Sequence, residues 1–368
     1  MTKGILKYIF PLLLAAVSCT RSAAPAREPV ALARDIVSRA SPEGDIIAGA
    51  ATPRPEGEIY IAGSPVTSTR LLDSFLACDI FENARGNAWS DGLKDFAGEV
   101  FCSISDWARS PYDILLDSSP AGSDSLRELA VRYALAALDT KYNMSVYDLS
   151  GNGTKQPAKM IVFADPWLLE YGKFDVDTLF ALTSCSVPVL SAQDLLFDSV
   201  LAGERKCFNI GLICDSTYLG KGIYPAIFKS KCARHDVVGV KFFEGSADGS
   251  AGSLYRFLDS YAAAGNSAPL DALLIDNPDM DMALIEKELK AARDFSREEF
   301  LHYGNLVSPD LMLENSGTLV MRKCYTLLRQ GNLFTHRIAQ PAFKPFIASP
   351  RPWAEDMQFL LIAEEDNV

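Results

Sequence analysis

The segment LDALLIDNP, residues 270–278, decides the fold class of this 368-residue chain. An apolar run of strand length ends there in Asp276, Asn277 and Pro278, which is the pattern of a strand buried on both faces and followed by a turn. The segments KMIVFADP, residues 159–166, and FNIGLICDS, residues 208–216, repeat this pattern. Strands of this kind occur in parallel sheets that helices cover on both faces.

Outward from these segments, the chain alternates between strand patterns and amphipathic helical patterns. This alternation predicts an α/β protein built from two Rossmann-like lobes, with mostly parallel sheets around a central cleft. The helical patterns include SLRELAVRYALAALDTKY at 125–142 and GTLVMRKCYTLLRQG at 317–331. The predicted strands are 58–65, 99–106, 112–119, 159–166, 187–192, 208–216, 237–245, 270–278 and 358–366.

Nine strands are more than one simple doubly wound unit usually holds, so we divide the chain into lobes. We expect residues 1–18, whose sequence is considered below, to be a signal peptide, and 19–55, rich in Pro and Ala, to be a tether. Lobe 1 covers 56–188 and lobe 2 covers 189–300. Residues 301–368 return to lobe 1 and add a C-terminal strand.

The N-terminus resembles the signal of a bacterial lipoprotein. Lys3 and Lys7 form a basic region, residues 9–17 form a short apolar run, and small or aliphatic residues precede Cys19. The resemblance implies lipidation of Cys19 and anchoring in the cell envelope. Thr20 is not an acidic retention signal, which favours the outer membrane. Whether the chain faces the periplasm or the exterior stays open.

Composition excludes several classes of partner. The formal net charge is −12 and there is no long basic cluster, so we expect no nucleic-acid partner. With three histidines and no CxxC or HExxH motif, the sequence predicts no metal site and no cofactor. The eight cysteines have irregular spacing, and those that lie within apolar runs are interpreted as small buried residues.

Polar residues follow the predicted strands at their carboxyl ends. In open parallel sheets ligands bind in the crevice beyond these ends, where loop amides and helix N-termini converge. The same residue types also cap helices, and that alternative stays open. The predicted ligand-binding residues are Asp117, Ser118, Asp165, Ser216, Thr217, Asp276 and Asn277.

Five further segments stand in order over residues 112–330: ILLDSSPAGSDSLREL (114–129), SVPVLSAQDLLF (186–197), FNIGLICDSTYLGKGIYPAIF (208–228), LDALLIDNP (270–278) and LENSGTLVMRKCYTLL (313–328). Together they resemble motifs of the aspartate/glutamate racemase family. The resemblance implies a two-lobed α/β fold with an active site between the lobes.

The chain departs from the family where the chemistry occurs. Family members exchange a proton through two cysteines, one from each lobe, whereas Asp165 and Asp276 stand in those motifs here. This difference disfavours a two-thiol racemase. Two carboxylates across a cleft could still perform acid-base chemistry if burial raised one pKa.

The string of strands also resembles the type I periplasmic binding proteins. From this resemblance and the missing thiols we predict a lipid-anchored protein that binds a small polar ligand between its lobes without catalysis. The alternatives are an isomerase-like or hydrolytic enzyme that uses the cleft carboxylates, and a structural subunit with an envelope protein as partner. The acidic residues of segment 79–99 are interpreted as a solvated loop.

Overall fold

The computed structural model describes residues 27–82, 86–118, 121–203, 207–294, 301–352 and 357–364. The predicted signal peptide and Cys19 lie outside these ranges. Among the described residues, none of the helices combines the length and the apolar character that crossing a membrane requires.

Twelve strands and twelve helices are described, together with a π-helical turn, Leu168–Gly172, that leads into α6. The strands are β1 Glu58–Gly63, β2 Val100–Ser105, β3 Lys141–Tyr142, β4 Gly153–Thr154, β5 Ala158–Phe163, β6 Val189–Ser191, β7 Asn209–Cys214, β8 Lys241–Ser246, β9 Leu270–Asp276, β10 Val307–Asn315, β11 Ala342–Pro350 and β12 Phe359–Ala363. The helices are α1 Ala31–Ser38, α2 Pro42–Ala50, α3 Pro65–Ala77, α4 Tyr112–Asp117, α5 Gly122–Leu138, α6 Lys173–Leu182, α7 Ala192–Leu201, α8 Ile223–Arg234, α9 Ser253–Ala263, α10 Met282–Ala292, α11 Leu301–Gly304 and α12 Ser316–Gln330.

The strands form two large sheets. The first has the order β12-β11-β2-β1-β5-β6 and the second has the order β10-β9-β7-β8. Every pairing in the second sheet is parallel, and in the first sheet β12 alone runs antiparallel to its neighbour. The two-lobed α/β fold with mostly parallel sheets is therefore confirmed.

The central strands are apolar because helices cover both of their faces. All residues of β1 and β5 are buried. One apolar cluster packs on one face of the first sheet and continues to β7 and β9, so the two lobes share a core. Separate clusters cover the other face of the first sheet and the outer part of the second. This shared core fixes the edges of the two sheets relative to each other.

The strand predicted at 112–119 is wrong, because residues 112–117 form helix α4. Tyr112 is buried, Leu115 and Leu116 are partly buried, and Ile114 is 63% exposed. This burial at positions i, i+3 and i+4 is helical, and α4 packs against α5. A short apolar run does not by itself distinguish a helix from a buried strand.

The chain moves between the sheets later than the predicted boundaries at 188 and 300. Strand β6 pairs with β5 in the first sheet, and β10 pairs with β9 in the second. The first sheet resumes only at β11. The division into domains itself stays a prediction.

The acidic segment 79–99 contributes two of its carboxylates to the interior. Asp95 is buried and accepts hydrogen bonds from the amides of Ile80 and Phe81. Glu99 is buried and lies 2.5 Å from Nζ of Lys159 on β5. The interpretation as a solvated loop is therefore wrong for these two residues, because tertiary partners satisfy their charges.

Candidate functional site

A cavity of about 240 Å³ lies between the two sheets, at the carboxyl ends of their strands. Helix α3 and the residues that follow β5 and β6 form one wall. The residues that follow β7, β9 and β10 form the other wall. The polar lining residues are Thr67, Ser74, Gln193, Asp215, Tyr218, Tyr224, Asp276, Asn277, Asn315, Ser316 and Thr318.

Asp276, the last residue of β9, lines the cavity and is only 9% exposed. Its carboxylate accepts hydrogen bonds from the hydroxyls of Ser316, at 2.5 Å, and Tyr224, at 2.7 Å. Burial raises its pKa, the neighbouring Asp215 raises it further, and the hydrogen bonds oppose the shift. A carboxylate of this kind takes up a proton more readily than one in water.

Asp165 follows β5 in the opposite wall and is 1% exposed. Burial raises its pKa from 3.8 to about 6, against hydrogen bonds that it accepts from Tyr218, Trp167 and Ser64. The Tyr218 hydroxyl lies 2.8 Å from Oδ2, and the Trp167 amide lies 3.0 Å from Oδ1. Asp165 reaches the cavity through Tyr218, which lines it, and not directly.

Two tyrosines connect these carboxylates. Tyr218 belongs to the second lobe and bonds Asp165 of the first, whereas Tyr224 on α8 bonds Asp276 within the second lobe. Their rings pack edge to face with centroids 6.1 Å apart. Gln193 adds a second link, because its side-chain amide donates to the carbonyl of Ala164, at 3.2 Å, and approaches Oδ1 of Asp276 at 3.5 Å. The two buried acids are therefore connected through the packed rings of the tyrosines and through Gln193, which bonds the backbone next to Asp165.

The structure brings some of the predicted ligand-binding residues together and separates others. Asp276 and Asn277 line the cavity, and Asp165 lies behind Tyr218. Asp117 and Ser118 are exposed at the end of α4 and do not line it, because the segment that carries them is not a strand.

Ser216 and Thr217 are also exposed and do not line the cavity. In that turn the preceding residue, Asp215, faces the cavity. The amide and the hydroxyl of Thr217 both donate to Oδ1 of Asp215, each at 2.8 Å. Thr217 thus closes a local turn around Asp215. This turn is not the helix cap that the sequence left open, because α8 begins only after Gly222 and has no side-chain cap.

Sequence reasoning missed most of the polar residues that line the cavity, among them Gln193, Tyr218, Tyr224 and Ser316. Gln193, Tyr224 and Ser316 lie in the first turn of a helix that follows a strand, and Tyr218 lies in the loop between β7 and α8. The available signal was position, since residues just after the carboxyl end of a parallel strand face the crevice whatever their type. The prediction from sequence covers only Asp, Ser, Thr and Asn in the turns themselves.

None of the seven described cysteines lines this cavity. Cys214 ends β7 nearby, but it is buried, and burial together with neighbouring acids raises the pKa of its thiol. Among the described residues, no three His, Cys, Asp or Glu side chains are grouped so that they could hold a metal ion. The site offers carboxyl, phenol, hydroxyl and amide groups.

Comparison with known proteins gives likeness in structure only. No protein family matches the sequence, and no curated protein does. Glutamate racemase from Francisella tularensis, solved with D-glutamate, has a TM-score of 0.47 at 12% identity, covering 85% of this chain and 100% of its own. The Thermus thermophilus glutamate racemase has a TM-score of 0.44 at 16% identity, covering 81% of this chain and 90% of its own. An aspartate racemase homologue from Pyrococcus horikoshii has a TM-score of 0.39 at 13% identity, covering 74% of this chain and 99% of its own.

These structures correct the prediction of a non-catalytic receptor for a small polar ligand. The similar solved structures include glutamate and aspartate racemases, where the prediction had named a solute receptor, and their likeness to this chain is one of fold. Identities this low do not carry a substrate or a mechanism over to this chain. The chemistry has to be argued from the cavity itself.

Proposed function

We propose that this protein is an isomerase-like enzyme that moves a proton on a small molecule by carboxylate chemistry. The observation that carries the proposal is the pair of buried acids, Asp165 and Asp276. They come from different sheets, burial raises the pKa of both, and each is bonded to a tyrosine that lines one cavity. Groups whose pKa is moved towards neutral by burial are typical of catalytic sites.

Asp276 serves as the base. Its carboxylate takes a proton from a carbon of the bound molecule, and its raised pKa makes it a stronger base than an exposed Asp. Ser316 and Tyr224 donate to the carboxylate and hold it in place. Because the side chain lines the cavity, it reaches the substrate directly.

Tyr218 and Asp165 return a proton. The Tyr218 hydroxyl donates to the Asp165 carboxylate, 2.8 Å away. When Asp165 is protonated this hydrogen bond reverses, so the carboxyl O–H donates to the Tyr218 oxygen while the Tyr218 hydroxyl gives its own proton to the substrate carbanion. A carboxyl with a pKa of about 6 is partly protonated near neutral pH, so it can supply that proton. One proton leaves the substrate for Asp276 and one arrives from Asp165, after which solvent restores both acids.

Hydrogen exchange tests this proposal without a known substrate. The soluble chain from residue 28 is incubated in D₂O with amino acids, 2-hydroxy acids, amines and sugars, and deuterium at carbon is measured by NMR. We expect exchange in at least one compound, a loss of about 100-fold or more in Asp276→Asn, and a rate within twofold of wild type in Asp117→Asn, which changes an exposed acid. Equal exchange in Asp276→Asn and wild type, or no exchange in any compound, would contradict the proposal.

We also propose that the chain is anchored in the cell envelope through lipid on Cys19. The support is the N-terminal sequence, with Lys3 and Lys7 before an apolar run that ends ahead of Cys19. The outer membrane is the favoured location, because Thr20 supplies no acidic retention signal.

A further inference from the structure

The cavity carries negative charge that its own residues do not balance. The side chains of Asp215 and Asp276 line it, whereas no Lys, Arg or His is found among its lining residues in the described part of the chain. Arg70 approaches Asp215 at 3.5 Å, but it lies nearer to Asp279, at 2.9 Å, and does not line the cavity. One guanidinium is thus shared by two carboxylates, and Asp276 receives only neutral donors.

The rest of the lining is largely apolar. Leu71, Met280 and Met321 are buried and Met282 is partly buried, and all four contribute to the wall. Methionine adapts its shape to a bound hydrocarbon surface. At about 240 Å³, the cavity is smaller than the roughly 300 Å³ at which sites for drug-sized ligands begin.

We propose that the cavity takes a small primary amine with an apolar carbon skeleton. The ammonium group lies against Asp215, which leaves Asp276 for the proton transfer, and the skeleton lies against Leu71 and the three methionines. A buried carboxylate is stabilised by a partner of opposite charge, whereas a second carboxylate brought in by the ligand would be repelled in this low-dielectric space. The inference rests on the proposed function only in taking this cavity as the substrate site.

Three probes of nearly identical shape separate charge from size: 3-methylbutylamine, 3-methyl-1-butanol and 3-methylbutanoate. Binding to the soluble chain from residue 28 is measured at pH 7.5 by ligand-observed NMR titration. We expect the amine to bind at least tenfold more tightly than the alcohol, and the carboxylate to bind more weakly than the alcohol. Carbon skeleton and volume are shared, so the charge of the head group decides the order.

Variants assign the preference to the cavity. Asp215→Asn removes one lining charge at a partly exposed position, so it is expected to fold, which circular dichroism checks. It should weaken amine binding at least tenfold and leave alcohol binding within twofold, while Asp117→Asn changes neither. Tighter binding of the carboxylate, equal binding of all three probes, binding of none, or an unchanged amine affinity in Asp215→Asn would each overturn the inference.

The outcome is separable from that of the hydrogen-exchange experiment. If the amine binds as described and no compound exchanges hydrogen, the proposed function fails and the ligand class stands. If exchange occurs only in compounds without an amino group, the proposed function stands and the ligand class is overturned.

Discussion

Burial of the ionised Asp165 carboxylate is unfavourable, and this raises the pKa of the side chain. The side chain is 1% exposed, and its carboxyl has a pKa of about 6 in place of 3.8. Hydrogen bonds from Tyr218, Trp167 and Ser64 oppose the shift without cancelling it. A residue that served only to hold the fold would be better replaced by an uncharged side chain, which suggests that the acid is kept for its chemistry.

The raised pKa makes stability depend on pH in a defined direction. Below pH 3.8 Asp165 is protonated in both states and contributes no pH dependence. Between pH 3.8 and about 6 the unfolded chain loses its proton while the folded protein keeps it, so the folded state loses stability as the pH rises. Above about pH 6 Asp165 is ionised in both states, so the loss of stability no longer changes with pH.

Asp165→Asn removes this dependence. We expect the free energy of unfolding of wild type, relative to the variant, to fall by about 3 kcal/mol between pH 3.5 and pH 7. Urea unfolding of both proteins at several pH values measures the difference, and contributions from other groups cancel between them. A difference that stays flat across this range would show that the pKa of Asp165 is not raised.

At the scale of elements, several side chains of the site lie in the first turns of helices. Three residues at the ends of parallel strands cap the helix that comes next: Ser64 follows β1, Ser191 ends β6 and Asn315 ends β10. Their side chains accept from the amides of Thr67, Asp194 and Thr318 respectively. Such caps fix the first turn of a helix. The residues just inside, such as Gln193 and Ser316, are thereby held at the cavity wall.

Helix α8 begins differently, after Gly222 in the left-handed conformation with φ +77°. It carries Tyr224, the donor to Asp276. A Cβ at Gly222 would meet nothing within 4 Å, and the same is true of Gly49 inside α2. The two glycines therefore differ in backbone conformation and not in available space.

This pair isolates the effect of backbone conformation. Gly222→Ala is expected to lower the free energy of unfolding by about 1–2 kcal/mol, because a left-handed conformation strains an L residue. Gly49→Ala is expected to raise it by about 0.5–1 kcal/mol, because alanine is favoured over glycine in a helix. Urea unfolding of both variants checks the signs, and a stabilising Gly222→Ala would contradict the argument.

At the scale of the whole molecule, polar contacts near the cavity join the two lobes. Tyr218 bonds Asp165, Lys221 pairs with Asp113 on α4, and Arg70 on α3 reaches Asp215. The exposed ion pairs contribute little to stability, of the order of 1 kcal/mol or less each. Their position around the cavity suggests that they orient the lobes for the site.

The proposed anchor also belongs to this scale. Acyl chains on Cys19 would hold the full-length protein in the membrane fraction, since each buried CH₂ contributes about 0.8 kcal/mol. We expect Cys19→Ser to move the protein into the soluble fraction and to abolish labelling with radioactive palmitate. Cys232→Ser, at a partly buried cysteine of the folded domain, serves as the control and should remain membrane-bound. Wild-type protein in the soluble fraction would contradict the anchor.

The sequence by itself determined the fold class and the edge of the sheets where the site lies. Apolar runs such as 159–166 and 270–278 have few alternatives once helical patterns separate them, so Asp276 and Asn277 at the end of β9 were found from pattern alone. Strand β10 escaped prediction because it is only partly buried and carries polar residues, which removes the apolar signal.

Only the tertiary structure decided which residues share the cavity. Tyr218 crosses from one lobe to the other to reach Asp165, and Ser316 reaches Asp276 across 40 positions of the chain. In the turn after β7, Asp215 lines the cavity and the next residue, Ser216, does not. The apolar pattern of a sequence predicts which residues of one helix or strand are buried. The direction of a side chain in a loop depends instead on packing between elements that are distant in sequence.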